Sequence, residues 1–93
     1  MEWKDNYING NNIPLIMKVV HIGDFIEILY EEDSIYGGYI TTLTSDSPEK
    51  DNNKNKFFLI GLGTIYSNNN PNETVLWTSK IKKFRIIHKG WTQ

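Results

Sequence analysis

Between residues 24 and 88, four polar clusters divide this chain into five short runs rich in Ile, Val, Phe, Tyr and Thr. β-Branched and aromatic runs of this length, bounded by turn residues, read as strands rather than helices. The first is Asp24-Phe25-Ile26-Glu27-Ile28-Leu29-Tyr30. Glu31-Glu32-Asp33-Ser34 supplies a turn, and residues 35–44 form the second strand, so the two make an antiparallel hairpin. Gly37-Gly38 lies inside that second strand, where glycine marks a bend, a bulge or a close backbone approach. Residues 45–55 hold no apolar side chain and read as a solvated loop. The third strand covers 56–66, apolar on both faces at its start and therefore central; residues 67–72 are a second Asn-rich turn. The fourth strand covers 73–78 and the fifth 82–88, with only a corner at Ser79-Lys80 between them. In the fifth, Phe84 and Ile86 face one way while Lys83 and Arg85 face the other.

The first 22 residues are less regular. Asn12 can cap a short helix with Pro14 in its first turn, carrying Leu15, Ile16, Val19 and Val20 as far as Gly23. Val19-Val20-His21-Ile22 suits a strand equally well, and the helix is the preferred reading. A length of 93 residues corresponds to a single domain, 1–93, with its core about 22–88 and an N-terminal segment 1–21. Such a chain buries only about two-thirds of its unfolded surface, so association would add to its stability. The expected fold is mainly β: a small five-stranded antiparallel SH3-like barrel with a short N-terminal helix.

Charge is distributed unevenly. Residues 1–51 carry ten acidic side chains against Lys4, Lys18 and Lys50, a net −7. Residues 52–93 carry seven basic side chains against Glu73, a net +6, so the formal net charge of −1 conceals two opposite halves. Such asymmetry points either to a polyanionic partner or to the two halves facing each other. The absence of cysteine removes disulfides, thiolate chemistry and cysteine-ligated zinc. No apolar run approaches the ~18 residues of a membrane span, and Met1-Glu2-Trp3-Lys4-Asp5 does not open a signal peptide. The expectation is a soluble, cytoplasmic protein with no membrane partner.

No catalytic constellation is legible. His21 and His88 are isolated, with no second ligand at metal spacing, so no metal and no cofactor is expected. Gly61-Leu62-Gly63 lacks the helix that a dinucleotide loop requires, and reads as curvature in the third strand. Asn72-Glu73-Thr74 is a glycosylation sequon only in a secreted protein. The chain is expected not to be an enzyme.

From Asp24 to Ile87 the pattern resembles the Sm/LSm family of ring-forming RNA-binding proteins. Phe25-Ile26-Glu27-Ile28-Leu29, the acidic turn and Gly38-Tyr39-Ile40 are similar to that family's opening hairpin with its strand-bending glycine. Val75-Leu76-Trp77-Thr78-Ser79-Lys80-Ile81-Lys82-Lys83-Phe84 is similar to its second signature, although the family corner usually carries Arg-Gly or Lys-His. The resemblance implies a homo-oligomeric ring joined through the fourth and fifth strands. It also implies RNA or single-stranded DNA as partner, with a role in nucleic-acid processing. By position, the loop before the third strand contributes Asn53, Asn55, Lys56 and Phe57, and the corner contributes Trp77, Ser79 and Lys80. Lys82, Lys83 and Arg85 would add phosphate contacts along the last strand. An aromatic ring, amides and lysines together suit a single-stranded ligand. The alternative is an SH3-like protein–protein interaction module, such as a phage or mobile-element protein would use. A third reading is a ring whose only function is assembly.

Overall fold

The computed structural model describes residues 2–8, 10, 12–46, 57–64 and 72–90. The elements are β1 (Lys4–Asp5), α1 (Leu15–Val19), β2 (Phe25–Tyr30), β3 (Ile35–Asp46), β4 (Phe57–Gly63), β5 (Thr74–Trp77) and β6 (Ile81–His88). One-turn 3-10 segments at Glu31–Asp33 and Thr78–Lys80 join β2 to β3 and β5 to β6. All six strands form one antiparallel sheet in the order β1-β6-β2-β3-β4-β5.

The five expected strands are present as β2 to β6, and β1 raises the count to six. β1 is two charged residues, and it is a strand only because β6 offers it an edge: Lys4 pairs with Phe84 and Asp5 with Lys83. No closed barrel is present, since no pairing joins β5 to β6 or β1 among the described residues. The sheet is nevertheless strongly curled. β5 is its far edge and β6 lies near the other, yet the three residues Thr78–Lys80 are enough to connect them.

The devices that bend the sheet are local. In β3, Gly38 lies against β4 so closely that a Cβ there would stand 2.8 Å from the Gly63 carbonyl oxygen. A bulge between Ile40 and Thr42 adds curvature opposite Gly61 and Leu62. β6 carries two more irregularities against β2, which leave Lys82 and Ile87 outside the paired register. The first of them lets Ile81 and Phe84 both turn inward although they are three residues apart.

The core beneath the curl is built from Ile26, Ile28, Ile40, Ile60, Leu62, Leu76, Ile81 and Phe84, closed at one end by Ile16 and Val20. Helix α1 is short and is not capped by Asn12, which stands apart at φ 61. Its first amides are satisfied from a distance instead. Leu15 N–H donates to the Tyr7 carbonyl at 2.9 Å, and Ile16 N–H to Asn6 Oδ1 at 3.0 Å. No helix among the described residues is long and apolar enough to cross a membrane.

Candidate nucleic-acid interface

The corner between β5 and β6 is anchored from three sides. Thr78 is buried, and its hydroxyl donates to the Phe58 carbonyl of β4 at 3.1 Å. From the other side, Asn6 Nδ2 donates to the carbonyls of Thr78 (3.0 Å) and Ile81 (3.2 Å). The Trp77 amide donates to the Tyr30 hydroxyl at 3.1 Å, which ties the end of β5 to the end of β2. With Thr78 buried and bonded through its hydroxyl and its carbonyl, its neighbours face outward. Trp77 is 41% exposed, and Ser79 and Lys80 stand in solvent on either flank of the turn.

The start of β4 and this corner therefore adjoin, as the Thr78–Phe58 bond requires. Trp77 pairs with Leu59, two residues along β4 from Phe57, whose own backbone pairs with Asp46. Asn53, Asn55 and Lys56 lie outside the described residues. Of the predicted site, Trp77, Ser79, Lys80 and the Phe57 backbone are brought to one end of the sheet. Lys82, Lys83 and Arg85 run away from it along β6.

Each described cation of that group faces a carboxylate. Lys80 meets Glu31 at 3.4 Å, Lys82 meets Asp33 at 3.1 Å, and Lys83 meets Asp5 at 3.3 Å. Arg85 meets Glu27 at 2.6 Å and also lies 4.5 Å over the Trp3 ring. With Lys89–Asp24, each of these five ion pairs joins an acid from residues 1–51 to a base from residues 52–93. The opposed halves of the sequence meet within one molecule. The three lysine pairs are half-exposed or more, and exposed pairs contribute about 0–1 kcal/mol each. A phosphate oxygen can therefore replace their carboxylates at small cost.

Two polar clusters lay beyond sequence reasoning. Asp24 is fully buried between α1 and β2; its carboxylate accepts from Lys89 Nζ (2.7 Å), Gly90 N–H (3.0 Å) and His21 N–H (2.9 Å). Burial pushes its pKa up, but the Lys89 hydrogen bond, the Gly90 and His21 amides and the Lys89 charge outweigh that and hold it below the ordinary value. On the outer face, Glu73 accepts from the hydroxyls of Thr41 and Thr42, and these two bonds lower its pKa. A run of strand residues gives no sign of either, because every partner except the His21 amide is distant in sequence.

A cleft of about 450 Å³ lies between Trp3 and Ile86, flanked by Glu2, Lys4 and Lys89. Among the described residues, no group of three or more His, Cys, Asp or Glu side chains is placed to hold a metal ion. Compared with known proteins, the chain matches no family model, no curated sequence and no solved structure.

Proposed function

We propose that this chain is a non-enzymatic, Sm-like barrel module that binds single-stranded RNA or DNA at the β5–β6 corner. A base stacks on the Trp77 indole, the Ser79 hydroxyl and nearby backbone contact its edge, and Lys80 and Lys82 exchange their carboxylates for phosphate oxygens. The observation that carries this reading is the Thr78–Phe58 bond, which sets an exposed indole, hydroxyl and ammonium beside the start of β4. The barrel reading is supported by the order β6-β2-β3-β4-β5 and by the three-residue link that draws the far edge of the sheet round to β6.

Stacking on an aromatic ring contributes roughly 1–3 kcal/mol per base. Two phosphate contacts give a modest salt dependence: affinity falls about sevenfold between 50 and 200 mM salt for a single strand. Fluorescence anisotropy with labelled oligo-U, oligo-A and single-stranded DNA tests both expectations. Lys80→Glu should weaken binding at low salt and flatten the salt slope, and Trp77→Ala should weaken binding at every salt concentration. Oligonucleotide affinity that neither variant changes would place the contact elsewhere.

One observation favours a second reading, an SH3-like protein-binding module. The described cations of the last strand are already neutralised by the molecule's own carboxylates. That reading predicts no oligonucleotide binding even at low salt. Ring assembly in the Sm manner would pair β5 of one copy with β6 of the next, an edge where β1 already stands.

A further inference from the structure

We infer, resting on the reading of the corner as the nucleic-acid contact, that the acidic turn between β2 and β3 is its built-in inhibitor. Glu31 and Asp33 occupy the two lysines that would take phosphate, and a single strand binds by displacing them.

The turn is rooted in the corner. Tyr30, the last residue of β2, pairs with Ile81 at the start of β6, and its hydroxyl accepts from the Trp77 amide at 3.1 Å. Ile81 is buried, and Lys80 and Lys82 on either side of it are exposed. Glu31 meets Lys80 at 3.4 Å and Asp33 meets Lys82 at 3.1 Å. Two carboxylates two residues apart thus match two ammonium groups two residues apart. Glu32, between the two acids, is exposed and makes no ion pair among the described residues.

A hairpin link has no need of this arrangement. β3 lies on the far side of β2 from β6, so the chain leads away from the corner while both carboxylates reach back to it. Glu32 and Asp33 hold left-handed backbone, with φ 60 and φ 58, a region that glycine takes freely and other residues enter at a cost. Glycine at both positions would turn the chain more easily. It would also leave Lys82 without the Asp33 carboxylate. Backbone strain of this kind is often kept where it serves a site. Both ion pairs are about half-exposed or more, so they hold the lysines weakly and yield to a competing anion. An inhibitor of this strength scales affinity and does not abolish it.

Fluorescence anisotropy with labelled oligo-U separates inhibition from a mere change of net charge, because the three acids of the turn differ in what they touch. Glu31→Gln and Asp33→Asn each remove one negative charge and one ion pair. Each should tighten binding roughly two- to fivefold at low salt, the scale of an exposed pair, and the gain should fade at high salt. Glu32→Gln removes the same charge from the same turn but no ion pair, and should change affinity by less than either. All three side chains are exposed, so the variants should keep the wild-type circular dichroism spectrum. In the wild type, the Glu31 and Asp33 amide signals should move together with the Trp77 indole as oligo-U is added, a readout that needs no variant. Equal gains at positions 31, 32 and 33, no gain at 31 and 33, or turn signals that stay fixed while the Trp77 indole shifts would each overturn the inhibitor and leave the corner as the contact. Oligo-U that no form binds at low salt, or binding that Trp77→Ala leaves unchanged, would instead remove the reading of the corner, and the inhibitor with it.

Discussion

Asp24 is the residue whose removal should be felt most sharply for its size. Its carboxylate is buried, yet it gathers a lysine and two backbone amides from both ends of the chain. Asp24→Ala leaves two amides without acceptors and should destabilise the fold by about 2–3 kcal/mol, read from urea denaturation. The pH dependence has a definite sign. The folded pKa lies below the ordinary value, so the contribution is complete above about pH 4 and is lost as pH falls through the lowered value. Acid unfolding of the wild type should therefore be steeper below about pH 4 than that of Asp24→Asn. Nothing local in the sequence marks this site, since Asp24 reads simply as the polar residue that opens a strand.

At the scale of elements, the alternation of apolar and polar residues was sufficient to locate the five main strands to within two or three residues at each described end. Boundaries slipped where tertiary contacts decide them. β3 runs on to Asp46 because β4 pairs with it there, and β6 begins at Ile81 because a bulge at Lys82 restores its inward register. β1 was not legible at all, since Lys4 and Asp5 have no strand character of their own. Gly38 was legible as a place where glycine is needed, and the nearby Gly63 carbonyl supplies the reason. Gly38→Ala forces a Cβ onto a backbone oxygen and should cost about 1–3 kcal/mol, measurable as a lowered thermal midpoint. Asn6 links three elements, since its amide serves the corner and its carbonyl oxygen serves α1. Asn6→Ala should cost about 2–3 kcal/mol in denaturant unfolding, because three partly buried backbone groups each lose a hydrogen bond at once.

At the scale of the whole molecule, the most informative sequence feature was the opposition of charge between halves. It has an intramolecular explanation, because acids of the first half pair with bases of the second throughout the described structure. That pairing sets carboxylates against the lysines of the corner and of β6 alike. The corner itself was legible because a short polar link between two strands leaves few places for its side chains to go. The loop residues predicted to join it, Asn53, Asn55 and Lys56, fall outside the described residues. High salt should change the stability of the chain little, because most of its ion pairs are exposed and screened. It should weaken oligonucleotide binding by the modest factor expected from two phosphate contacts.

A titration of labelled protein with short oligo-U, followed by nitrogen–proton NMR, reads out whether Trp77, Ser79 and Lys80 form the nucleic-acid contact. The three tryptophans give separate indole signals, so the corner and the Trp3 cleft can be told apart in one spectrum. Binding at the corner should give progressive shifts at the Trp77 indole and at the Ser79 and Lys80 amides, with Trp3 unmoved. Shifts confined to Trp3 and its neighbours on β6, or no shifts at low salt, would contradict it.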